Sequence, residues 1–362
     1  MKHWHETREV LDFLARVRGK GKRAALATVV RVRGSAYRHE GAKLAVADDR
    51  TTAGNVSGGC LEQDVREVAL QVIRGGKAEL RNYCSSADEI EAWDLGVGCE
   101  GQVDVFVEPA EARPRERALL DERRSFAVCT VMPGRGEKGE GRRLIVTPSG
   151  TEGTLGVPGL DGAATALARG LLDGEESGLR ETPERAVFID VFQPPPQLVL
   201  LGAGDDARPL ARFAADVGFR VVVVDRRPAY LTAERFPAAA LLLESDGAGL
   251  TAALPLDAAC CAVVMTHTFA DDQAYLRALL TTPVSYVGML GPRQRTERIL
   301  RNLGAEGPAN EGPVYGPVGL DIGTDGAEQV ALAVIAEVLA IRSGRRARSL
   351  RERAVPIHAP AD

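Results

Sequence analysis

The chain has 362 residues, 45% of them hydrophobic and 26% charged, with a formal net charge of −5. That is an ordinary globular composition, long enough for two domains with a core each. The mild acidity argues against general nucleic-acid binding. No apolar stretch approaches the ~20 residues of a membrane span, and MKHWHETREV lacks a secretion signal's apolar core, so a cytoplasmic protein is expected.

In chain order, ALATVV starts at Ala25, GAKLAV at Gly41 and GNVSGGCLEQDVREVALQVIRGG at Gly54. The last stretch places Val65, Val68, Ala69, Val72 and Ile73 at helical spacing. FAVCTVM from Phe126, GRRLIV from Gly141 and GTLGVPGLDGAATALARGLLDGE from Gly153 repeat the order strand, turn, strand, Gly-rich loop, helix. The pattern predicts an N-terminal α+β domain over 1–192 with an internal duplication, its halves about 20–110 and 120–190. Gln193-Pro194-Pro195-Pro196 forbids helix and resists sheet pairing, and reads as a stiff linker.

Comparing the two copies singles out one thiol. Cys60 is matched by Gly159, while Leu61 and Glu62 are matched by Leu160 and Asp161. One copy builds the unit without a thiol, so a chemical role for Cys60 is favoured over that of a small buried filler. Three glycine-flanked stretches form an N-terminal constellation: Gly34-Ser35-Ala36-Tyr37-Arg38, Ser57-Gly58-Gly59-Cys60-Leu61-Glu62 and Gly96-Val97-Gly98-Cys99-Glu100-Gly101. Glycines expose backbone N–H groups that can cradle an anion, and they let Cys60 or Cys99 approach a ligand closely. Six cysteines without CxxC spacing make neither a disulfide framework nor a structural zinc site; Cys84, Cys260 and Cys261 read as structural.

Beyond the linker, LVLLG (198–202), VVVVD (221–225), ALLLE (240–244), CAVVMTH (261–267) and SYVGML (285–290) read as buried parallel strands. Helices are expected over 208–217, 272–280 and 328–341. This alternation predicts a Rossmann-like, doubly wound parallel-sheet domain over 197–362. The run RSGRRARSLRER (342–353) reads as a solvated tail.

Gly202-Ala203-Gly204-Asp205-Asp206-Ala207 sits between a strand and a helix, where Gly202 and Gly204 permit a tight turn beside a pyrophosphate. Asp225 ends the next strand, where a carboxylate can bind ribose hydroxyls. Asp205 and Asp206 are good N-cap residues, yet they oppose phosphate at the helix terminus; Arg226 and Arg227 can restore positive charge or simply face solvent. His267 can move protons or pair with Asp272 to fix its loop. Arg293 and Arg295 can neutralise a phosphorylated ligand or remain solvated. Glu337, among apolar helical positions, is expected in a structural salt bridge.

Taken together, GSAYRHEGAKLAV, VSGGCLEQDV, LGVGCEG, LGAGDDARPLARFAADVGFRVVVVDRRP, VVMTHTFADDQAYL, YVGMLGPRQR and GPVGLDIGTDGAEQVALAVIAEVLA resemble the xanthine dehydrogenase accessory proteins, the XdhC/CoxI family. The stretches occur in the family's order and span nearly the whole chain. Two departures stand out: His39 follows Arg38 where typical members have proline, and Asp205 stands where His is frequent. The resemblance implies an accessory protein, or chaperone, that binds molybdenum cofactor, supports its sulfuration and inserts it into an apo-molybdoenzyme of the xanthine or carbon monoxide dehydrogenase kind. SGGCLE looks more like the CoxI side, which points from molybdopterin towards molybdopterin cytosine dinucleotide. A cysteine desulfurase is a further partner, a homodimer is expected, and no protein metal cage is needed because the cofactor's dithiolene holds the metal.

Under that implication Cys60, Cys99 and His267 are the chemical residues. Ser35, Arg38, Ser57, Gly58, Gly59, Glu62, Gly202, Gly204, Asp225, Arg227, Asp272 and Arg293 are the cofactor-binding ones. The alternative is an NAD(P)-dependent oxidoreductase of Rossmann type, using Asp225 for ribose and His267 as acid or base.

Overall fold

The structure is a computed structural model that describes residues 2–34, 36–59, 61–84, 102–133, 142–172, 174, 176–304 and 313–354. Ser35, Cys60 and Cys99 lie outside the described residues. The chain divides into two compact units between Pro194 and Pro195.

In the first unit α1 (Lys2–Gly19) leads into β1 (Ala24–Arg33), β2 (Lys43–Ala47), β3 (Thr52–Gly54), α2 (Glu62–Gly75), β4 (Glu79–Cys84) and β5 (Gln102–Pro109). The same order recurs in α3 (Pro114–Asp121), β6 (Phe126–Val131), β7 (Arg143–Thr147), β8 (Gly150–Gly153), α4 (Leu160–Leu171), β9 (Gly178–Glu181) and β10 (Ala186–Phe192). Each copy folds into a five-stranded sheet, ordered β3-β2-β1-β5-β4 and β8-β7-β6-β10-β9. The duplication is therefore one of topology, and it includes a leading helix and two closing strands per copy.

Burial on both faces explains why β1 and β6 read as unbroken apolar runs rather than alternating ones. Ala25, Ala27 and Val29 face the apolar stripe of α2, while Leu26 and Val30 point to the opposite side. Ala127 and Cys129 pack likewise under Leu160, Ala164 and Ala168 of α4. Gly54 and Gly153 hold one role in both copies. Each has positive φ, and an added Cβ would stand 2.2 Å from the Lys43 carbonyl oxygen or 2.5 Å from that of Arg143.

The copies pack against each other reciprocally. Lys43 Nζ donates to Asp190 Oδ2 at 2.5 Å, and Arg143 Nη2 meets Glu108 Oε2 at 2.7 Å. The registers make these the same pair seen twice. Lys43 lies opposite Thr28 and Arg143 opposite Thr130; Glu108 lies opposite Leu26 and Asp190 opposite Val128. Base from one copy meets acid from the other in both directions, the signature of an isologous interface fused into one chain. Each buried carboxylate takes a second base, His3 for Asp190 and Arg113 for Glu108.

The second unit contains β11 (Gln197–Leu201), α5 (Ala207–Asp216), β12 (Arg220–Asp225), β13 (Leu241–Glu244), α6 (Leu250–Ala253), β14 (Cys261–Val264), α7 (Phe269–Leu279), β15 (Tyr286–Met289), α8 (Arg293–Asn302), β16 (Val314–Tyr315) and α9 (Ala327–Arg342). Its six strands are all parallel, in the order β13-β12-β11-β14-β15-β16. This is a doubly wound Rossmann sheet whose order reverses between β11 and β14, opening a crevice at their carboxyl ends. The short β16 carries too few residues to stand out in the sequence. Among the described residues Glu337 makes no salt bridge. It accepts hydrogen bonds from Tyr286 Oη on β15 at 2.5 Å and from Gly319 N in the segment after β16 at 3.0 Å, two neutral donors rather than a base. Among the described residues no helix is long and apolar enough to cross a membrane.

Candidate functional site

In the first unit the loop between β3 and α2 is tied by a small polar ring. Ser57 N donates to Glu62 Oε1 at 2.9 Å, and the Ser57 hydroxyl donates to Glu62 Oε2. The same hydroxyl oxygen accepts from Gly59 N at 3.0 Å and Leu61 N at 3.1 Å. These bonds to Ser57, together with backbone N–H groups, hold the Glu62 carboxyl below its usual range although burial opposes ionisation. The second copy keeps the acidic half of this device, with Leu155 N donating to Asp161 Oδ1 at 2.8 Å. An acid at the head of the helix is therefore part of the fold in both copies, and only the first loop adds a serine and a thiol.

This geometry corrects two sequence expectations. The Gly59 and Leu61 N–H groups turn inward to Ser57, so they do not form an open anion cradle. Glu62 spends its carboxylate on its own loop rather than presenting charge to a ligand. Arg38 is likewise committed: both its Nη atoms bond Glu6 on α1, and the pair is largely buried. Tyr37 covers Gly58 instead; a Cβ there would lie 3.4 Å from Tyr37 Cγ, while Tyr37 as a residue is 68% exposed. No arrangement of residue types in the sequence marked Tyr37 as the outward group of this motif.

At the crevice of the second unit, the glycine-rich turn is used in an unexpected way. Gly202 has φ +124°, and a Cβ on it would fall 2.5 Å from the Met265 carbonyl oxygen. The open space above Gly202 is filled by the backbone that follows β14, which carries His267 across to the turn. His267 has φ +62°, an unusual backbone state for a residue with a side chain. Its Nε2 lies 2.8 Å from Asp206 Oδ2, and its side chain is 64% exposed. Asp206 makes no side-chain cap bond to α5, contrary to the N-cap expected from sequence, because its carboxylate lies beside Gly204 and reaches His267. The Asp206 Oδ1 atom is buried without a protein partner.

Asp272 does not pair with His267. It accepts from Thr266 N at 3.2 Å, Thr266 Oγ1 at 2.6 Å and Arg295 Nη2 at 2.6 Å, and so fastens the β14 loop to α8. Arg295 is consumed in that pair, whereas Arg293 stands exposed at the start of α8, whose first turn holds no acid. Asp225 is saturated as well. Ala203 N and Arg227 Nη2 donate to Oδ2, at 2.8 and 2.9 Å, while Arg227 N and Nε donate to Oδ1, at 2.8 and 2.9 Å. The expected ribose carboxylate is thus folded back on its own turn. Arg226 pairs with Asp271 at 2.9 Å. The residues that the sequence reading missed here are Asp206 as the partner of His267 and Arg235, which bonds the Ala203 carbonyl oxygen and Asp205, both at 3.0 Å.

The crevice therefore offers a histidine braced by a carboxylate and an exposed arginine at a helix start, a set suited to a phosphorylated ligand and to proton handling. Among the described residues, no group of three or more His, Cys, Asp or Glu is placed to hold a metal ion.

With this geometry in view, comparison with known proteins is informative. Residues 198–338 match the XdhC Rossmann domain, and residues 17–83 and 119–182 match the XdhC and CoxI family. A protein of Bacillus subtilis (strain 168), named as a probable xanthine dehydrogenase subunit, is 33% identical, over 88% of this chain and 93% of that protein. The molybdenum cofactor insertion chaperone PaoD of Escherichia coli (strain K12) is 24% identical, over 94% of this chain and 93% of its own length. A solved structure described as a xanthine dehydrogenase from Bacillus halodurans superposes with a TM-score of 0.75 at 28% identity, covering 94% of this chain and 98% of that one. Two duplicated sheets, a Rossmann unit and near end-to-end similarity converge on one assignment: the chain belongs to the XdhC and CoxI family.

Proposed function

We propose that this chain is a maturation factor for a molybdoenzyme of the xanthine dehydrogenase kind, holding molybdenum cofactor as cargo and passing it to the apo-enzyme. The observation that carries the reading is the likeness to PaoD, named an insertion chaperone, over 94% of the chain. The contrast between the copies supports it: both loops are held by an acid, and only the first bears a thiol.

In this reading the Ser57–Glu62 ring fixes Gly59 and Leu61, the neighbours of Cys60 in the chain, and the thiol meets the cargo's metal or carries its sulfur. Cys99 is the second candidate for that task. Taken by itself, the second unit offers the exposed Arg293 to the phosphate of a nucleotide-like cargo. His267, with Nε2 braced by Asp206, keeps Nδ1 as its open hydrogen-bonding position and exchanges a proton there with bound cargo. Asp272 and Gly202 keep the histidine loop in place without touching cargo. The Rossmann order also suits a nicotinamide enzyme, but that use needs an Asp225 open to ribose.

The test is direct. The purified full chain is incubated with molybdopterin-form cofactor, with its cytosine dinucleotide, and with NADH, then passed through a desalting column. Molybdenum retention with one cofactor form, followed by activation of apo-xanthine dehydrogenase, is expected. Cys60→Ala should keep the wild-type melting profile and lose activation. Failure to retain molybdenum in either form would remove the cargo reading; full activation by Cys60→Ala would remove the thiol from it. Repeating the activation with a cysteine desulfurase present reads whether sulfur arrives through this protein.

A further inference from the structure

The end of β12 holds an arrangement that the maturation reading does not use. In a Rossmann domain the carboxylate ending this strand is where a nucleotide's ribose diol docks. Here Asp225 is 3% exposed, and Arg227, two residues on, covers it with three donors while Ala203 N takes a fourth place. An ionised carboxylate accepts at about four positions, so the set is full.

The covering arginine is itself braced. Its guanidinium lies over the Tyr230 ring at 4.0 Å from the centroid, and Arg235 lies over the same ring at 5.2 Å. Arg235 in turn grips the glycine-rich turn through the Ala203 carbonyl oxygen. Pro228 starts the short 3₁₀ turn Pro228–Tyr230 and presets its backbone, so the ring is presented by a stiff segment. A chain of contacts therefore runs from Asp225 through Arg227, Tyr230 and Arg235 back to the turn beside Asp225.

We propose that Arg227 is an ionic latch that closes the ribose seat on Asp225, making it the residue that excludes adenine dinucleotides from this Rossmann domain. The exchange a dinucleotide would need is unfavourable. Ribose hydroxyls would offer two neutral donors in place of a guanidinium that grips both carboxylate oxygens, and the charge of the buried Asp225 would lose its opposite partner. Asp225 is held below the usual carboxylate range, chiefly by Arg227 against the opposing effect of burial, so it stays charged and latched at neutral pH. Arg227 is 41% exposed, so it can leave its seat without breaking the core. The latch is thus a selectivity device rather than a packing necessity.

The experiment is calorimetric titration of the full chain with ADP-ribose and with NADH. The wild type is expected to show a Kd above about 1 mM for both. Arg227→Met keeps the apolar stem on Tyr230 and frees Asp225, and it should tighten ADP-ribose binding at least about tenfold. Adding Asp225→Asn to that variant should erase the gain. Micromolar binding by the wild type would overturn the proposal. So would a folded Arg227→Met, judged by its melting temperature, that gains no affinity. Should Arg227→Met fail to fold, Tyr230→Ala removes the brace from outside the pair and must produce the same gain in part, or the latch is refuted. None of these outcomes reports on molybdenum retention, so the two readings fail separately.

Discussion

Glu62→Ala removes the acid at the centre of the ring that joins Ser57, Gly59 and Leu61. The carboxylate accepts from Ser57 N and from the Ser57 hydroxyl, and that hydroxyl collects the N–H groups of Gly59 and Leu61. Removing it strands the Ser57 amide in a site where both residues are buried. An orphaned buried donor costs about 1–3 kcal/mol, and loss of a charge-assisted bond adds to it, so a total of about 2–4 kcal/mol is expected. Asp161→Ala removes one bond, to Leu155 N, and should cost about 1–2 kcal/mol. Trp4 is buried in the core of the first unit, so urea unfolding followed by tryptophan fluorescence reports on that unit. Activation of apo-enzyme is measured on the same samples below the unfolding range. Glu62→Ala should abolish activation, while Asp161→Ala, in the copy without a thiol, should preserve it. A loss below about 0.5 kcal/mol for Glu62→Ala would show that the ring bears no weight. Equal loss of activation in both variants would refute the division of labour between the copies.

Three other outcomes follow from the same physics. Lys43→Met leaves Asp190 buried with only His3 and Ser177 beside it, and should cost about 3–5 kcal/mol by fluorescence-detected unfolding; a cost under about 1 kcal/mol would mean the cross-copy pair is dispensable. Burial pushes the thiol of Cys129 up to about 12 and that of Cys260 up to about 11, and raises Cys261 too, so these three should resist iodoacetamide at pH 8 in mass-spectrometric mapping; rapid labelling of any of them would contradict the packing. Acid should destabilise the first unit in two stages. Burial holds His3 below its ordinary value, so its stabilising share begins to go as pH falls beneath about 6.5. Asp190 and Glu62 are also held low in the fold by their partners, so theirs is present at neutral pH and lost below about pH 4. His3→Gln should remove the first stage only, and a single transition unchanged by it would refute the assignment.

Much of the architecture was legible in residue order because it is written in local periodicity. Runs such as LVLL and VVVV, rich in branched residues and only a few residues long, read as strands covered on both faces. The duplication was legible for the same reason, since Gly54 and Gly153 must both avoid a carbonyl that leaves no room for Cβ. Side-chain partnerships were not legible. Sequence assigned His267 a possible partner on its own loop in Asp272, yet the left-handed backbone at His267 and the packing of Met265 on Gly202 turn the ring to Asp206 instead. Asp225 and Glu62 look like ligand-binding acids in one dimension and are spent on their own turns in three.

By itself the sequence determined the most apolar strands, the helices beside the glycine-rich loops, the repeat and the parallel sheet, because each follows from apolar spacing within a few turns of chain. By contrast, α1, α3, α8 and the closing strands β4, β5, β9 and β10 emerged only in the fold. Only the tertiary structure decided which charges are free, since a carboxylate bonds whatever donor arrives within about 3 Å, and that donor can come from any element brought beside it. Lys43 and Asp190, far apart in the chain and 2.5 Å apart in the fold, show the distance between those two kinds of knowledge.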